Sequence, residues 1–181
     1  MERKMEKPKR YHPLLVALHW LLALLIIFML LVGLLSLKWM PNNPAKLLPL
    51  GFHMATGILI LVLMLVRLGV RIAKPKPAPA TAGNHFLDFI GKLTHYALYL
   101  FAILMAVSGI GISAQAGLGP IVFGASGAPL PEDFFVYPAR YGHGYIAIIL
   151  IVLILLHFAA AMYHQFFRKD GLLSRMWFGK E

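Results

Sequence analysis

The sequence predicts an all-α integral membrane protein, an up-down-up-down bundle of four transmembrane helices. Three observations lead there. Hydrophobic residues make up 60% of the 181 positions and charged residues only 13%, with a mean hydropathy of +0.75. An ordinary soluble domain holds about 45–50% apolar and about 25% charged residues, so this chain cannot solvate itself as a water-soluble globule. Four stretches free of Asp, Glu, Lys and Arg are long enough to cross a bilayer, which takes about 20 residues. No period-2 alternation supports a barrel, and backbone groups in lipid must be satisfied within their own segment, so the spans are helices.

The elements follow in chain order, as one transmembrane domain over residues 1–181 with spans at about 14–37, 49–72, 88–114 and 142–167. The first carries LLVALHWLLALLIIFMLLVGLLSL after Pro13. It is too long for a signal-peptide core and is followed by Lys38 and Trp39 rather than by a small-residue cleavage site, so it is expected to stay as an anchor. The second is closed by Arg67 and Arg71. Residues 74–84 (KPKPAPATAGN) then read as an extended Pro-rich linker. The third span carries LTHYALYLFAILMAVSGIGISA, and the Gly- and Pro-rich loop 115–140 that follows is long enough to cap one end of the bundle. The fourth span is followed by GLLSRMW (171–177), expected to form a short interfacial helix.

Basic residues set the orientation. Arg3, Lys4, Lys7, Lys9 and Arg10 precede the first span. Arg67, Arg71, Lys74, Lys76 and Lys92 lie between the second and third, and Arg168, Lys169, Arg175 and Lys180 follow the fourth. These segments fall on one side and hold 14 of the 17 basic residues, leaving Lys38, Lys46 and Arg140 opposite. Both termini are therefore expected in the cytoplasm, with the chain multi-pass in the bilayer. The net charge of +10 does not indicate a nucleic-acid partner, because the basic residues are divided among loops between apolar spans.

With no cysteine, disulfides, zinc-thiolate sites, iron–sulfur clusters and covalently attached haem are excluded. Eight histidines remain. His12 and His85 lie in tail and loop, where a solvated imidazole is ordinary. His19, His53, His95, His143 and His157 lie in or at the ends of spans, and His164 follows near the end of the fourth. Ionisable groups inside a bilayer are costly and face the bundle interior by default. His143 and His157 are 14 residues apart, which on a helix is about 40° from eclipsed and about 21 Å along the axis. One metal site cannot use both, whereas two stacked sites can. Depth then selects the partners, His19 with His157 and His53 with His143. Each pair suits an iron held between two imidazoles, the ligation of a low-spin b-type haem.

Further positions recur at the same interval. Gly33 is 14 residues after His19 and Gly109 is 14 after His95, and small residues leave room for a macrocycle. Arg67, 14 after His53, approaches the cytoplasmic layer, with Arg71 one turn beyond, and either suits a haem propionate. Gly-rich packing and positive-inside anchoring would account for these positions equally well. Zinc is disfavoured by the lack of Cys and of close-spaced His/carboxylate groups. A histidine-lined proton path would lack its usual membrane carboxylates. His95 and His164 remain at the cytoplasmic side. With Tyr96 or Tyr99 they suit proton donation to a quinone, whose reduction takes two electrons and two protons.

The stretches ALHW around His19, FHMATGILILVLMLVRL around His53, LTHYALYLFAI around His95, and H-x13-H followed by FAAAMYHQFFRKDGLLSRM resemble the bacterial cytochrome b561 family. Within it they resemble in particular the di-haem membrane superoxide:ubiquinone oxidoreductases. The likeness covers nearly the whole chain apart from the linker and the loop 115–140. It implies two haem b groups, an inner one on His19 and His157 and an outer one on His53 and His143, with His95 and His164 near the quinone end. It further implies a superoxide:quinone oxidoreductase of the bacterial inner membrane, passing electrons from periplasmic superoxide to ubiquinone. By charge alone Lys38, Lys46 and Arg140 suit attraction of the anion, and ordinary surface residues account for them equally well. The same di-haem pattern occurs in membrane cytochrome b subunits that link quinone to a partner dehydrogenase or hydrogenase, and that remains the alternative. A partner redox protein is not identified by the sequence.

Overall fold

The computed structural model describes residues 8–179. Among the described residues four helices are long and apolar enough to cross a membrane: α1 (Pro13–Leu37), α2 (Pro44–Ala73), α3 (His85–Gln115) and α5 (Pro138–Arg168). A short helix α4 (Leu118–Val122) stands between the last two, and among the described residues there is no strand. The protein is thus the all-helical, four-span bundle its hydropathy predicts. The helices begin one to five residues before their expected spans and end at or one residue past them.

Local chemistry starts the helices where they start. Pro13 and Pro138 stand in the first turns of α1 and α5, where a missing N–H costs nothing. His12 Nδ1 accepts from the Leu14 N–H at 3.3 Å, so this tail histidine serves as a cap. Asn43 Oδ1 accepts from the Ala45 N–H at 3.0 Å, and Asn84 Oδ1 from the Phe86 N–H at 2.8 Å. Asp88, in the first turn of α3, accepts from Thr81 Oγ1 at 2.8 Å and the Ala82 N–H at 2.6 Å, which ties the linker to the helix it precedes. Both α1 and α5 close in a widened π turn, Val32–Leu37 and Tyr163–Arg168.

Contacts between helices establish the alternating direction. His19, early in α1, faces His157, late in α5, while His53, early in α2, faces His143, early in α5. Hence α1 runs against α5 and α2 runs with it. α3 runs against α5, because His95 near its start meets His157 and Ser108 near its end meets His143. The core between them includes Leu22, Met29, Ile60, Met64, Ala102 and Leu150. Outward, large apolar side chains stand bare, Leu24 at 70% and Leu155 at 61% exposure among them. So much apolar surface on all sides is what a lipid-embedded bundle presents.

The loop 115–140 caps one end, as expected, and it does so with structure of its own. Leu118 of α4 and Leu130 are buried with Ile112 and Ala116 against Leu47, Leu50 and Met54 of α2. This cap corrects one expectation. Lys46 is not a free surface charge: it is only 8% exposed, and its ammonium donates to Met40 O at 3.1 Å and Asn42 Oδ1 at 2.8 Å. Lys38 is exposed and Arg140 half-buried at the same end.

At the opposite, basic end the C-terminal tail lies across the start of α1. A 3-10 helix over Leu172–Met176 occupies the place of the expected short helix. The Tyr11 N–H donates to Arg175 O at 3.1 Å, and Trp20 Nε1 donates to Met176 O at 2.8 Å. Arg175 reaches Ala78 O at 2.7 Å, so tail and linker are fastened together. Arg3, Lys4, Lys7 and Lys180, counted above in the charge balance, lie outside the described residues.

Candidate functional site

The four long helices repeat one pattern. On α1 it is His19, Ile26, Gly33; on α2, His53, Ile60, Arg67; on α3, His95, Ala102, Gly109; on α5, His143, Leu150, His157. Each step is seven residues, close to two helical turns, so each trio lies on one helix face. The middle members belong together: Ile60, Ala102 and Leu150 are buried in the core and Ile26 packs against them. They form an apolar layer with a histidine layer on either side.

In the layer toward the capped end, the rings of His53 and His143 stand 6.2 Å apart, centroid to centroid, with an interplanar angle of 66°. They line a cavity of about 900 Å³ that also reaches Gly33, Gly109, Leu150 and, toward the capped end, Lys38, Lys46, Arg140, Glu132 and Asp133. A Cβ on Gly33 would stand 3.6 Å from His53 Cε1, and one on Gly109 3.4 Å from His143 Cε1. Glycine therefore leaves both rings their free flank. Ser108 Oγ lies 2.9 Å from His143 Nδ1 and donates to Met105 O at 2.8 Å.

In the layer toward the basic end, His19 and His157 stand 6.1 Å apart at 73°, and they line a cavity of about 100 Å³ with His95, Arg67 and Tyr99. His95 is closer still to His157, at 5.1 Å, and its Nδ1 bonds Gly91 O at 2.7 Å. Arg67 donates to the Tyr99 hydroxyl and lies over its ring, with a second nitrogen 3.5 Å from His19 Nδ1. Arg71 lies over the same tyrosine ring, 5.5 Å from its centroid. Among the described residues Arg67 has no carboxylate partner, and its buried Nε makes no hydrogen bond. Ile26 and Ala102 line both cavities and so stand between them.

Sequence expectation and structure part at the remaining residues. His95 and His164 both lie toward the basic end, but only His95 joins the His19–His157 layer. His164 lies beyond that cavity, in the π turn that ends α5, buried at 9% exposure with Nδ1 2.6 Å from Asp170 Oδ2. Of the two candidate tyrosines, Tyr99 lines the cavity and Tyr96 is 69% exposed. Sequence reasoning missed Ser108 and Asp170. Each left a signal, a lone hydroxyl beside Gly109 and a carboxylate six residues past His164, but neither signal names its partner.

Among the described residues no group of three or more His, Cys, Asp or Glu could hold a metal ion. What the bundle offers is imidazoles in facing twos. Fold and site together define a class, a four-span membrane protein with a histidine pair at each of two depths. The chain belongs to the prokaryotic cytochrome b561 family, whose model matches residues 10–179. It is 29% identical over 178 residues to cytochrome b561 homolog 2 of Escherichia coli (strain K12), covering 93% of this chain and 92% of that one. It is accordingly a membrane cytochrome b, and the family implies haem b.

The residues fit that group. Imidazole binds a first-row metal at about 2.0–2.1 Å, and a ring nitrogen lies about 1.1 Å from its centroid, so two rings facing one ion stand a little over 6 Å apart. Both pairs meet this separation. Two ligand planes may take any mutual angle about a shared axis, so 66° and 73° are both admissible. His53 Nδ1 is buried without a hydrogen-bond partner, and Arg67 is a cation without an anion. A bound porphyrin carrying propionates answers the second need from outside the chain.

Proposed function

We propose that the chain is a two-haem membrane oxidoreductase that takes electrons from superoxide at the capped end and delivers them to ubiquinone near the basic end. The observation that carries this reading is the duplication of one geometry. Histidine pairs 6.1 and 6.2 Å apart lie on either side of an apolar layer, and α5 supplies one member to each from a continuous helix. His143 and His157 are 14 residues apart in that helix, about 21 Å along its axis. The positive-inside rule puts the basic end in the cytoplasm and the capped end in the periplasm of an inner membrane, with residues 1–181 forming a single transmembrane domain.

When bound at the two levels, haem b supplies reversible one-electron transfer. The chain's own residues do the rest. His19 with His157, and His53 with His143, would hold the two haems. Arg67, with Arg71 beside it, offers charge to propionates at the inner level. Lys38 and Arg140 lining the larger cavity favour entry of an anion, with Glu132 and Asp133 limiting their field. Two superoxide ions each give up one electron and leave as dioxygen, while ubiquinone takes two electrons and two protons to become ubiquinol. His95, within the inner layer, and His164, buried beyond it, are placed to hand protons to the quinone.

The test begins with the reduced-minus-oxidised spectrum of the purified chain, then its formation of ubiquinol from superoxide alone. Low-spin b-type bands that lose about half their intensity in H53A/H143A, with ubiquinol formed by the chain without a partner, are the expected results. An unchanged spectrum in that variant overturns the ligand assignment. Quinone turnover only with a co-purified dehydrogenase or hydrogenase replaces superoxide as donor and makes the chain that enzyme's membrane subunit.

A further inference from the structure

The two histidine layers are supported differently, and the difference has a direction. In the capped-end layer His143 Nδ1 lies 2.9 Å from Ser108 Oγ, and the same hydroxyl lies 2.8 Å from Met105 O. A carbonyl only accepts, so the single hydroxyl proton goes to Met105 and the serine oxygen accepts from His143 Nδ1–H. This chain of bonds fixes the tautomer and leaves Nε2 as the free, electron-donating nitrogen. Its partner ring has no such support, since His53 Nδ1 has no hydrogen-bond partner. In the basic-end layer the charged neighbour is the opposite of an acceptor: Arg67 brings a guanidinium to 3.5 Å from His19 Nδ1.

We propose that Ser108 is a positioning residue for the outer haem, orienting His143 and lowering the reduction potential of the iron that His143 holds. The inference rests on the reading of His53 and His143 as an axial pair. A ring whose Nδ1–H is accepted by an oxygen is the more basic ligand, which favours ferric over ferrous iron. Polarisation of the serine by Met105 strengthens that acceptor. A fixed cation beside the inner pair acts in the other sense, favouring the reduced state there. The two environments together make transfer from the outer level to the inner one downhill. Ser108 does not touch substrate; it acts through His143.

The test is a spectroelectrochemical titration of the purified holoprotein beside S108A and S108T, with haem content measured in each. S108A is expected to keep two haems per chain, to shift one of the two midpoint potentials upward and to leave the other in place. S108T keeps a hydroxyl at the position and is expected to retain the wild-type potentials, so it carries the comparison if S108A does not fold. If both haems are present and neither potential moves in S108A, or if S108T shifts as far as S108A, the role given to Ser108 is overturned while the haem reading stands. If the protein shows no b-type spectrum, or one unchanged in H53A/H143A, the reading beneath fails and this inference with it.

Discussion

Asp170 holds the ring of His164. Its Oδ2 lies 2.6 Å from His164 Nδ1, and its Oδ1 accepts from the Leu172 N–H at 3.1 Å. A carboxylate only accepts, so Nδ1 carries the proton and Nε2 is left as the unprotonated nitrogen. Partial burial raises the Asp170 carboxyl, but the hydrogen bonds from His164 and Leu172 lower it by more, and it titrates below the ordinary carboxylate value. For a carboxyl depressed in the folded state, the stabilisation is fully present above the unfolded value, about 3.9, and is lost as pH falls through the folded value. Wild type is therefore expected to exceed D170N in melting temperature at neutral pH, the gap closing under acid. Fluorescence reports it, because Trp20 and Trp177 meet at 5.7 Å beside this tail. Ubiquinone reduction in D170A should fall about tenfold, the usual cost of losing a partner that orients a functional histidine; an unchanged rate would remove His164 from the proton path.

His157 has two imidazole neighbours, His19 at 6.1 Å and His95 at 5.1 Å, and the proposed function pairs it with His19 alone. The longer separation matches the His53–His143 pair, whereas 5.1 Å is too short for two imidazoles to share one metal ion. H19A and H157A are each expected to lower haem content from two per chain to one by pyridine haemochrome assay. H95A should keep two while ubiquinol formation falls on the order of 10²-fold, the lower end of what a positioned proton donor contributes. One haem in H95A and two in H19A would exchange their roles.

Much of this was legible in the sequence because a helix converts residue spacing into depth. The 14-residue interval between His143 and His157 held because α5 stays α-helical throughout it. The same rise placed Arg67 in the His19 layer and Gly109 beside His143. What spacing does not encode is the rotation of one helix against another, and that rotation brought His95 into the inner layer and Ser108 onto His143. Nor does counting charges show which of them a loop will cover. Lys46 belongs to the sparsely basic side by position, yet the fold of residues 40–46 turns its ammonium inward. Asp170 escaped for a related reason: its reach to His164 needs the wide π turn over Tyr163–Arg168 and the left-handed Lys169, with φ 51°, that follows.

Gly109 leaves space that a larger residue would take from the outer site. Its own Cβ position is already 3.4 Å from His143 Cε1, so a leucine there has to extend into the volume beside the ring. G109L is expected to bind one haem per chain rather than two, retaining the inner site, with its helical content by circular dichroism unchanged. Retention of two haems with wild-type spectra would mean that the macrocycle does not lie on this flank of His143.

Lys38 and Arg140 differ from Lys46 in what they are free to do. Lys38 is exposed beside Trp39, 4.8 Å above its ring, and Arg140 lies over Phe135 at the same distance; both line the larger cavity. Lys46 spends its donors on Met40 and Asn42 and holds the 40–46 turn together. If this cavity admits an anion, K38A/R140A should lower the second-order rate with superoxide about tenfold at low ionic strength, the modest end of electrostatic steering. The deficit should close as salt is raised toward ~1 M, where the screening length shrinks to about 3 Å. K46A should act differently, lowering thermal stability by removing the link between the 40–46 turn and α2 while leaving the salt dependence of the rate as in wild type. A rate in K38A/R140A equal to wild type at every salt concentration would show that electrons enter by another route than this cavity.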